Sequence, residues 1–258
     1  MKACASLLVL VLALASCGGG PLAAGRARGA LRIGVTPSYA PLVFRGDDGL
    51  SGIEIDFGRA AAAALDLDPV FVECEWDALI PRLESGEIDV IMSGMSITDE
   101  RRARVLFTEP YLRVGQLALI RRADIGRFGP PSRLRSSGVR IGYVQDTTGQ
   151  GFVRRSLPRS IAYAFDSVDD GVRSLRGGRI DYFIHDAPTI WRIAHRPDET
   201  DLMGLYQPLT EEYLAWAVRL DDAALKARLD ATLDAWRANN QLEPVLDRWI
   251  PVRVEVGR

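Results

Sequence analysis

The stretch WDALIPRLESGEIDVIMSGMSITDERRARVLFTEPY, residues 76–111, reads as a helix, a short hydrophobic strand at 90–92, a polar loop and a helical turn carrying Arg101. The strand runs straight into Ser93-Gly94-Met95-Ser96, where small side chains leave backbone N–H and C=O groups open to a ligand. Arg101 follows close behind. A guanidinium beside hydroxyls and free amides suits a carboxylate, because two parallel charge-assisted hydrogen bonds fix both its position and its plane. Taken alone, Arg101 in Asp99-Glu100-Arg101-Arg102 also fits a charge on a solvated turn; the neighbouring motif favours the site.

Upstream, the pattern predicts a strand at 31–35, an extended turn at Tyr39-Ala40-Pro41-Leu42, an alanine-rich helix ending near Leu65, and a strand at 70–75. With the helix at 76–84 and the strand that follows, this makes a βαβαβ unit. Downstream, a strand at 116–120 leads to a Gly-, Pro- and Ser-rich connection at 126–138. A second βαβ series then runs through strands at 139–144, 161–164 and 180–184, with a helix at 168–176. Asp146-Thr147-Thr148-Gly149-Gln150-Gly151 opens another helix, whose free N–H groups and positive dipole end suit an anion. A last helix at 221–239 puts Leu225, Leu229, Leu233 and Trp236 on one face, with Asp221 as its N-cap. Alternating strands and helices over roughly 240 residues indicate α/β layers and more than one typical domain.

The first residues stand apart from this fold. Lys2 supplies a positive start, and the apolar run at 3–15 is shorter than the roughly 20 residues that span a bilayer. Leu14-Ala15-Ser16-Cys17 resembles the lipobox of bacterial lipoproteins, which implies a signal peptide at 1–16 and an acylated Cys17 anchoring the chain to a membrane. An ordinary secretory signal with an incidental Cys17 is the alternative. Residues 17–30, rich in Gly, Ala and Arg, read as a flexible tether. The net charge of −2 becomes −2 − 1 = −3 without Lys2, which argues against nucleic acid as a partner. Of three cysteines, Cys4 leaves with the signal and Cys17 is the lipidation site, so Cys74 remains as a small core residue with no internal disulfide to form. His185 and His195 lack metal-ligand spacing, and no Gly-x-Ser-x-Gly elbow is present, so neither metal nor cofactor is expected.

The strings Trp76-Asp77-Ala78-Leu79-Ile80-Pro81, Gly86-Glu87-Ile88-Asp89, Gly94-Met95-Ser96-Ile97-Thr98-Asp99-Glu100-Arg101 and Phe107-Thr108-Glu109-Pro110-Tyr111 together resemble the polar amino-acid-binding periplasmic proteins, the family-3 extracellular solute receptors of ABC importers. The resemblance extends from about residue 31 to 250. It implies an α/β, two-lobe periplasmic binding protein type II fold, each lobe a βαβ-based sheet with flanking helices, joined by two hinge strands. Lobe 1 would comprise 31–114 and 210–258, and lobe 2 would comprise 115–209. The implied setting is periplasmic or extracytoplasmic, as a membrane-anchored monomer that binds an amino acid and meets ABC permease subunits.

The resemblance also assigns roles. Arg101 would clamp the ligand α-carboxylate, aided by the Ser96 amide and Thr148. Asp186 would accept from the α-ammonium, shared with Ser93 and the Gly94 carbonyl, although it also suits an N-cap for the helix that follows. Tyr39 and Trp76 match two aromatics that sandwich the ligand side chain. Thr36 stands where receptors for basic amino acids and glutamine often place an aspartate, and Gln145 where a glutamine receptor has lysine. His185-Asp186-Ala187-Pro188 looks like that receptor's His-Asp-Thr-Pro, which makes His185 a donor to the side chain. These departures favour a polar uncharged or aromatic amino acid, with Asp146 as the residue that would keep arginine in play.

Two other classes share the fold. Cyclohexadienyl dehydratases resemble it but carry a catalytic glutamate after their Thr-Asp-Ala; here Pro188, Thr189 and Ile190 follow Ala187, and no carboxylate appears until Asp198, so no enzyme is expected. Sensor domains of the fold belong to longer chains. This sequence stops at Arg258, which leaves only sensing through a partner protein.

Overall fold

The computed structural model describes residues 29–250. The expected signal segment, Cys17, most of the expected tether, and residues 251–258 lie outside the described residues.

Two five-stranded sheets share one plan. In the first, Ala30–Val35 lies parallel between Asp68–Glu73 and Val90–Ile91, with Ala217–Arg219 and Val105–Phe107 added antiparallel. In the second, Arg140–Val144 lies parallel between Ile161–Phe165 and Tyr182–Asp186. Gln116–Arg121 then pairs antiparallel with Tyr182–Asp186 and with Leu202–Leu205. Parallel neighbours need crossovers, and the helices Ile53–Ala64, Leu79–Glu84, Thr148–Ser156 and Val168–Arg176 supply them.

A repeated ion pair fixes strand order in both sheets. Arg32 lies in the middle of the three parallel strands of the first, and its backbone N–H and Nε both donate to Asp89 Oδ2, while Nη1 donates to the Gly86 carbonyl. Arg140 does the same in the second sheet, with Asp181 Oδ2 and the Gly178 carbonyl. The partners sit in matching segments, Gly86-Glu87-Ile88-Asp89 and Gly178-Arg179-Ile180-Asp181. Both glycines have φ above +70°, a conformation that a side chain would strain.

The first core lies between its sheet and the helices Ile53–Ala64, Ala223–Ala238 and Leu242–Trp249. Leu225, Leu229 and Leu233 are fully buried, as their spacing predicts. The cap of that helix is Asp222, not Asp221: its side chain accepts from the Leu225 N–H at 3.1 Å, because an N-cap oxygen reaches the amide three residues ahead. Nor is it the last helix. Asn240 at φ 53° breaks the chain before Leu242–Trp249. Other expected elements shift by a residue or two. The strand at 70–75 is Asp68–Glu73, that at 180–184 is Tyr182–Asp186, and the helix at 76–84 starts as a 3₁₀ turn, Trp76–Ala78. Cys74 is a buried core residue, its thiol donating to the Val72 carbonyl.

The chain passes between the sheets twice, through Leu112–Val114 and Glu212–Leu214, which pair antiparallel as the two hinge strands. Beside them Gly115 packs so closely that a Cβ would lie 2.2 Å from the Thr210 carbonyl oxygen. Among the described residues no helix is long and apolar enough to cross a membrane.

Candidate functional site

Every parallel strand ends at one cleft between the two sheets. Thr36 follows Ala30–Val35, Glu75 follows Asp68–Glu73, and Gly94 follows Val90–Ile91; from the other side, Thr148, Asp166 and Asp186 stand at or beyond their strand ends. Ligands of open α/β sheets bind there because strand ends free both backbone groups and loop side chains. The cleft measures about 70 Å³. At roughly 10–15 Å³ per water, that is room for about five to seven waters, the scale of one amino acid.

Arg101 reaches the cleft from the turn Asp99–Arg102, which Thr98 caps by accepting the Arg101 N–H at 3.2 Å. Its Nη1 donates to the Ser96 carbonyl at 2.9 Å and Nη2 to the Asp146 carbonyl at 3.3 Å; its guanidinium lies 5.3 Å from the centre of the Trp76 ring. Trp76 Nε1 donates to the same Asp146 carbonyl at 2.9 Å. Two side chains from turns beside the first sheet thus grip one carbonyl from a loop beside the second. Burial pulls the Arg101 pKa down from its ordinary value, and Glu212 and Glu100 oppose that shift.

Opposite Arg101 lies a buried acid pair. Gln116 Nε2 donates to Asp186 Oδ1, to Glu212 Oε1 at 3.2 Å and to Thr148 Oγ1 at 3.2 Å. Glu212 also accepts from Ser96 Oγ at 2.8 Å and Thr210 Oγ1 at 2.8 Å. Burial, then the charge of Glu212, pushes the Asp186 carboxyl well above the ordinary range. Gln116 Oε1 is buried without a partner among the described residues.

Tyr39 and His185 meet edge to face across the cleft, ring centres 5.1 Å apart. His185 Nδ1 accepts from the Asp186 N–H at 2.9 Å, which leaves Nε2 to carry the proton. Burial lowers its pKa to about 4, so the ring is neutral at pH 7 and is a donor, not a charge. Thr36 lines the cleft, with its hydroxyl donating to the Cys74 carbonyl at 3.0 Å.

Thr36, Tyr39, Trp76, Gly94, Ser96, Arg101, Thr148, His185 and Asp186 all line this one cleft. Two expected residues do not. Ser93 is buried, its hydroxyl taken by the Thr36 N–H at 2.9 Å, so it braces the loop from behind. Gln145 points away and donates to Asp166 Oδ1 at 2.9 Å, so that Asp166, not Gln145, lines the cleft. Asp146 offers only its carbonyl and its carboxylate lies outside the lining, while the Asp186 side chain makes no helix-cap bond, being engaged by Gln116. The residues that sequence reading missed are Gln116 and Glu212, from segments read only as connections, together with Glu75 and Asp166. The last two carried a readable signal, since each stands within two residues of the end of a parallel strand.

The bacterial extracellular solute-binding proteins, family 3, match residues 31–252 of this sequence. The chain belongs to that family. It is 25% identical over 223 residues to the L-cystine-binding protein of Escherichia coli (strain K12), covering 86% of this chain and 83% of the relative. To the ABC transporter arginine-binding protein 1 of the same organism it is 28% identical over 251 residues, covering 95% and 98%. Among solved structures, an ancestral amino acid-binding protein described as a precursor of cyclohexadienyl dehydratase superposes with TM-score 0.82 at 27% identity, over 88% of this chain and 98% of that one. A binding component of an ABC transporter from Wolinella succinogenes, complexed with lysine, gives TM-score 0.82 at 27% identity over 89% and 97%.

Proposed function

We propose that this family member is the receptor of an ABC importer and that it traps a basic α-amino acid between its lobes, 31–114 with 210–258 and 115–209. The charge balance of the cleft carries the reading. Among the described residues Arg101 is the single cation lining it, against Glu75, Asp166 and Asp186, with Glu212 behind. A zwitterion uses one charge of each sign, its carboxylate on Arg101 and Thr148 and its ammonium on Asp186; Glu75 and Asp166 then face a cationic side chain held near Tyr39 and Trp76. The absence of a carboxylate at Thr36 suggested a polar uncharged or aromatic ligand, but these two acids supply that charge from other loops. The arginine-binding relative and the lysine-bound neighbour support the same choice. His185, a neutral donor, favours glutamine as the second reading.

The protein acts as a carrier, not an enzyme, in this reading: the Glu212 carboxylate is occupied by Ser96, Thr210 and Gln116. It is held at the membrane by acylated Cys17 and meets its permease as the closed, loaded monomer. The test is calorimetric titration of ligand-stripped protein with the twenty amino acids, prephenate and arogenate, with product assayed in the same samples. Tight binding of arginine, lysine or histidine without turnover is expected. Preference for a neutral amino acid would overturn the basic class, and turnover would overturn the carrier role. Mass spectrometry of membrane-extracted protein should find a diacylated Cys17; an unmodified terminus elsewhere would remove the anchor.

A further inference from the structure

Under the ligand loop lies a carboxylate that, among the described residues, is held by neutral donors and no cation. Glu54, in the first helix turn, is fully buried. Its Oε1 accepts from the Gly94 N–H at 2.6 Å and from the Tyr111 hydroxyl at 2.6 Å, and its Oε2 from Trp216 Nε1 at 2.9 Å. Three neutral donors from three separate segments converge on one acid. One of them, Gly94, is in the cleft lining at φ +68°, and a Cβ there would lie 2.7 Å from Tyr39 Cε1. The Gly94 amide is therefore fixed from below by Glu54 and from above by the ring of Tyr39, and the backbone of Ser93–Ser96 has little freedom left.

We infer that Glu54 is a positioning residue for ligand binding: its carboxylate, through the Gly94 amide, holds the 93–96 loop in the shape that receives the ligand. The inference rests on the receptor reading above. Its consequence is pH dependence, because a charged acceptor holds an amide about twice as strongly as a neutral one. Burial places the Glu54 pKa at about 7, with the bonds from Tyr111, Gly94 and Trp216 limiting the rise. Charged groups on the elements around it are turned elsewhere. On its own helix, Asp56 accepts from Arg248 and Trp249 of Leu242–Trp249, and Arg59 lies over Phe71. On Ala223–Ala238, Asp230 pairs with Lys226, Asp234 with Arg237, and Arg228 donates to the Leu65 carbonyl. On neighbouring strands, Arg32 pairs with Asp89 and Arg45 with Glu73.

Glu54→Gln imitates the protonated acid without changing its shape. Dissociation constants for the best-bound basic amino acid, measured from pH 5.5 to 8.5 on wild type and variant, should give a ratio near one at low pH that grows to about tenfold at high pH, roughly the loss of one charge-assisted bond. Taking the ratio cancels the titration of Asp186 and His185, common to both proteins. A ratio constant across the range would overturn the inference. NMR gives a second readout that needs neither ligand nor a stable variant at position 54. The Gly94 amide shift in wild type should titrate with a midpoint near 7, and Tyr111→Phe, which removes one donor, should move the midpoint upward. A Gly94 amide indifferent to pH would refute the positioning role even if ligand binds. If no amino acid binds while this amide titrates as expected, the receptor reading fails and the Glu54–loop link stands.

Discussion

Removing the Arg101 guanidinium is the most direct perturbation of the proposed carboxylate clamp. In Arg101→Ala the ligand carboxylate would give up its own hydration on entering the cleft and find the acids Asp186 and Glu212 but, among the described residues lining it, no cation. Truncating one partner of such a buried charge pair costs about 2–5 kcal/mol, or roughly 30- to 5,000-fold in affinity. The lost bond to the Asp146 carbonyl adds little, since it is long at 3.3 Å and Trp76 still holds that carbonyl at 2.9 Å. Arg101→Lys should fall between, near 1–2 kcal/mol, because an ammonium keeps the charge but loses the fork. The assay is calorimetry with the cognate amino acid and with the corresponding amine lacking the carboxylate. Wild type should prefer the amino acid by the same factor that Arg101→Ala costs, and Arg101→Ala should scarcely distinguish the two. If the alanine variant discriminated as strongly as wild type, the carboxylate would be held elsewhere.

Other tests follow from the same geometry. Glu75→Gln and Asp166→Asn, both at exposed positions, should each weaken a basic ligand by about two- to fivefold and leave a neutral amino acid unaffected; equal losses for both ligands would sink the side-chain assignment. Asp89→Asn leaves Arg32 without its buried partner and should cost about 3–5 kcal/mol in denaturant unfolding. Asp181→Asn should cost less, since Arg140 is more exposed than Arg32; the reverse ranking would refute burial as the cause. Glu54 and His185 should drive stability with pH in opposite directions. Glu54 binds its proton more tightly folded than unfolded, so its contribution falls as pH rises from about 4.5 to 7, by about 3 kcal/mol. His185 binds its proton less tightly folded, so its contribution is lost as pH falls from about 6.5 to 4, again by about 3 kcal/mol. Unfolding free energies of Glu54→Gln and His185→Gln, each subtracted from wild type, should slope with opposite signs across the overlap near pH 4.5–6.5; matching signs would contradict the burial argument.

Much of this protein is written locally. The alternation of strand and helix patterns, the leucines of Ala223–Ala238, and the small-residue loop followed by Arg101 all depend on neighbours in sequence, and the fold and the place of Arg101 in the cleft could be read from them. Element ends were less legible, because a cap such as Asp222 depends on which amide its oxygen can reach in space. What only the tertiary structure decided is the company each polar group keeps. Ser93 looked available to a ligand until the Thr36 amide claimed its hydroxyl, and Gln145 until Asp166 did. Gln116 and Glu212 lie at the crossings between sheets, where no periodicity marks a residue as inward, yet antiparallel pairing sets Gln116 beside Asp186, and its amide also reaches Glu212. Charge in a cleft is a sum over loops far apart in the chain. That Thr36 is not a carboxylate was therefore visible in the sequence, whereas the presence of Glu75 and Asp166 in the same cleft became visible only when the strand ends came together.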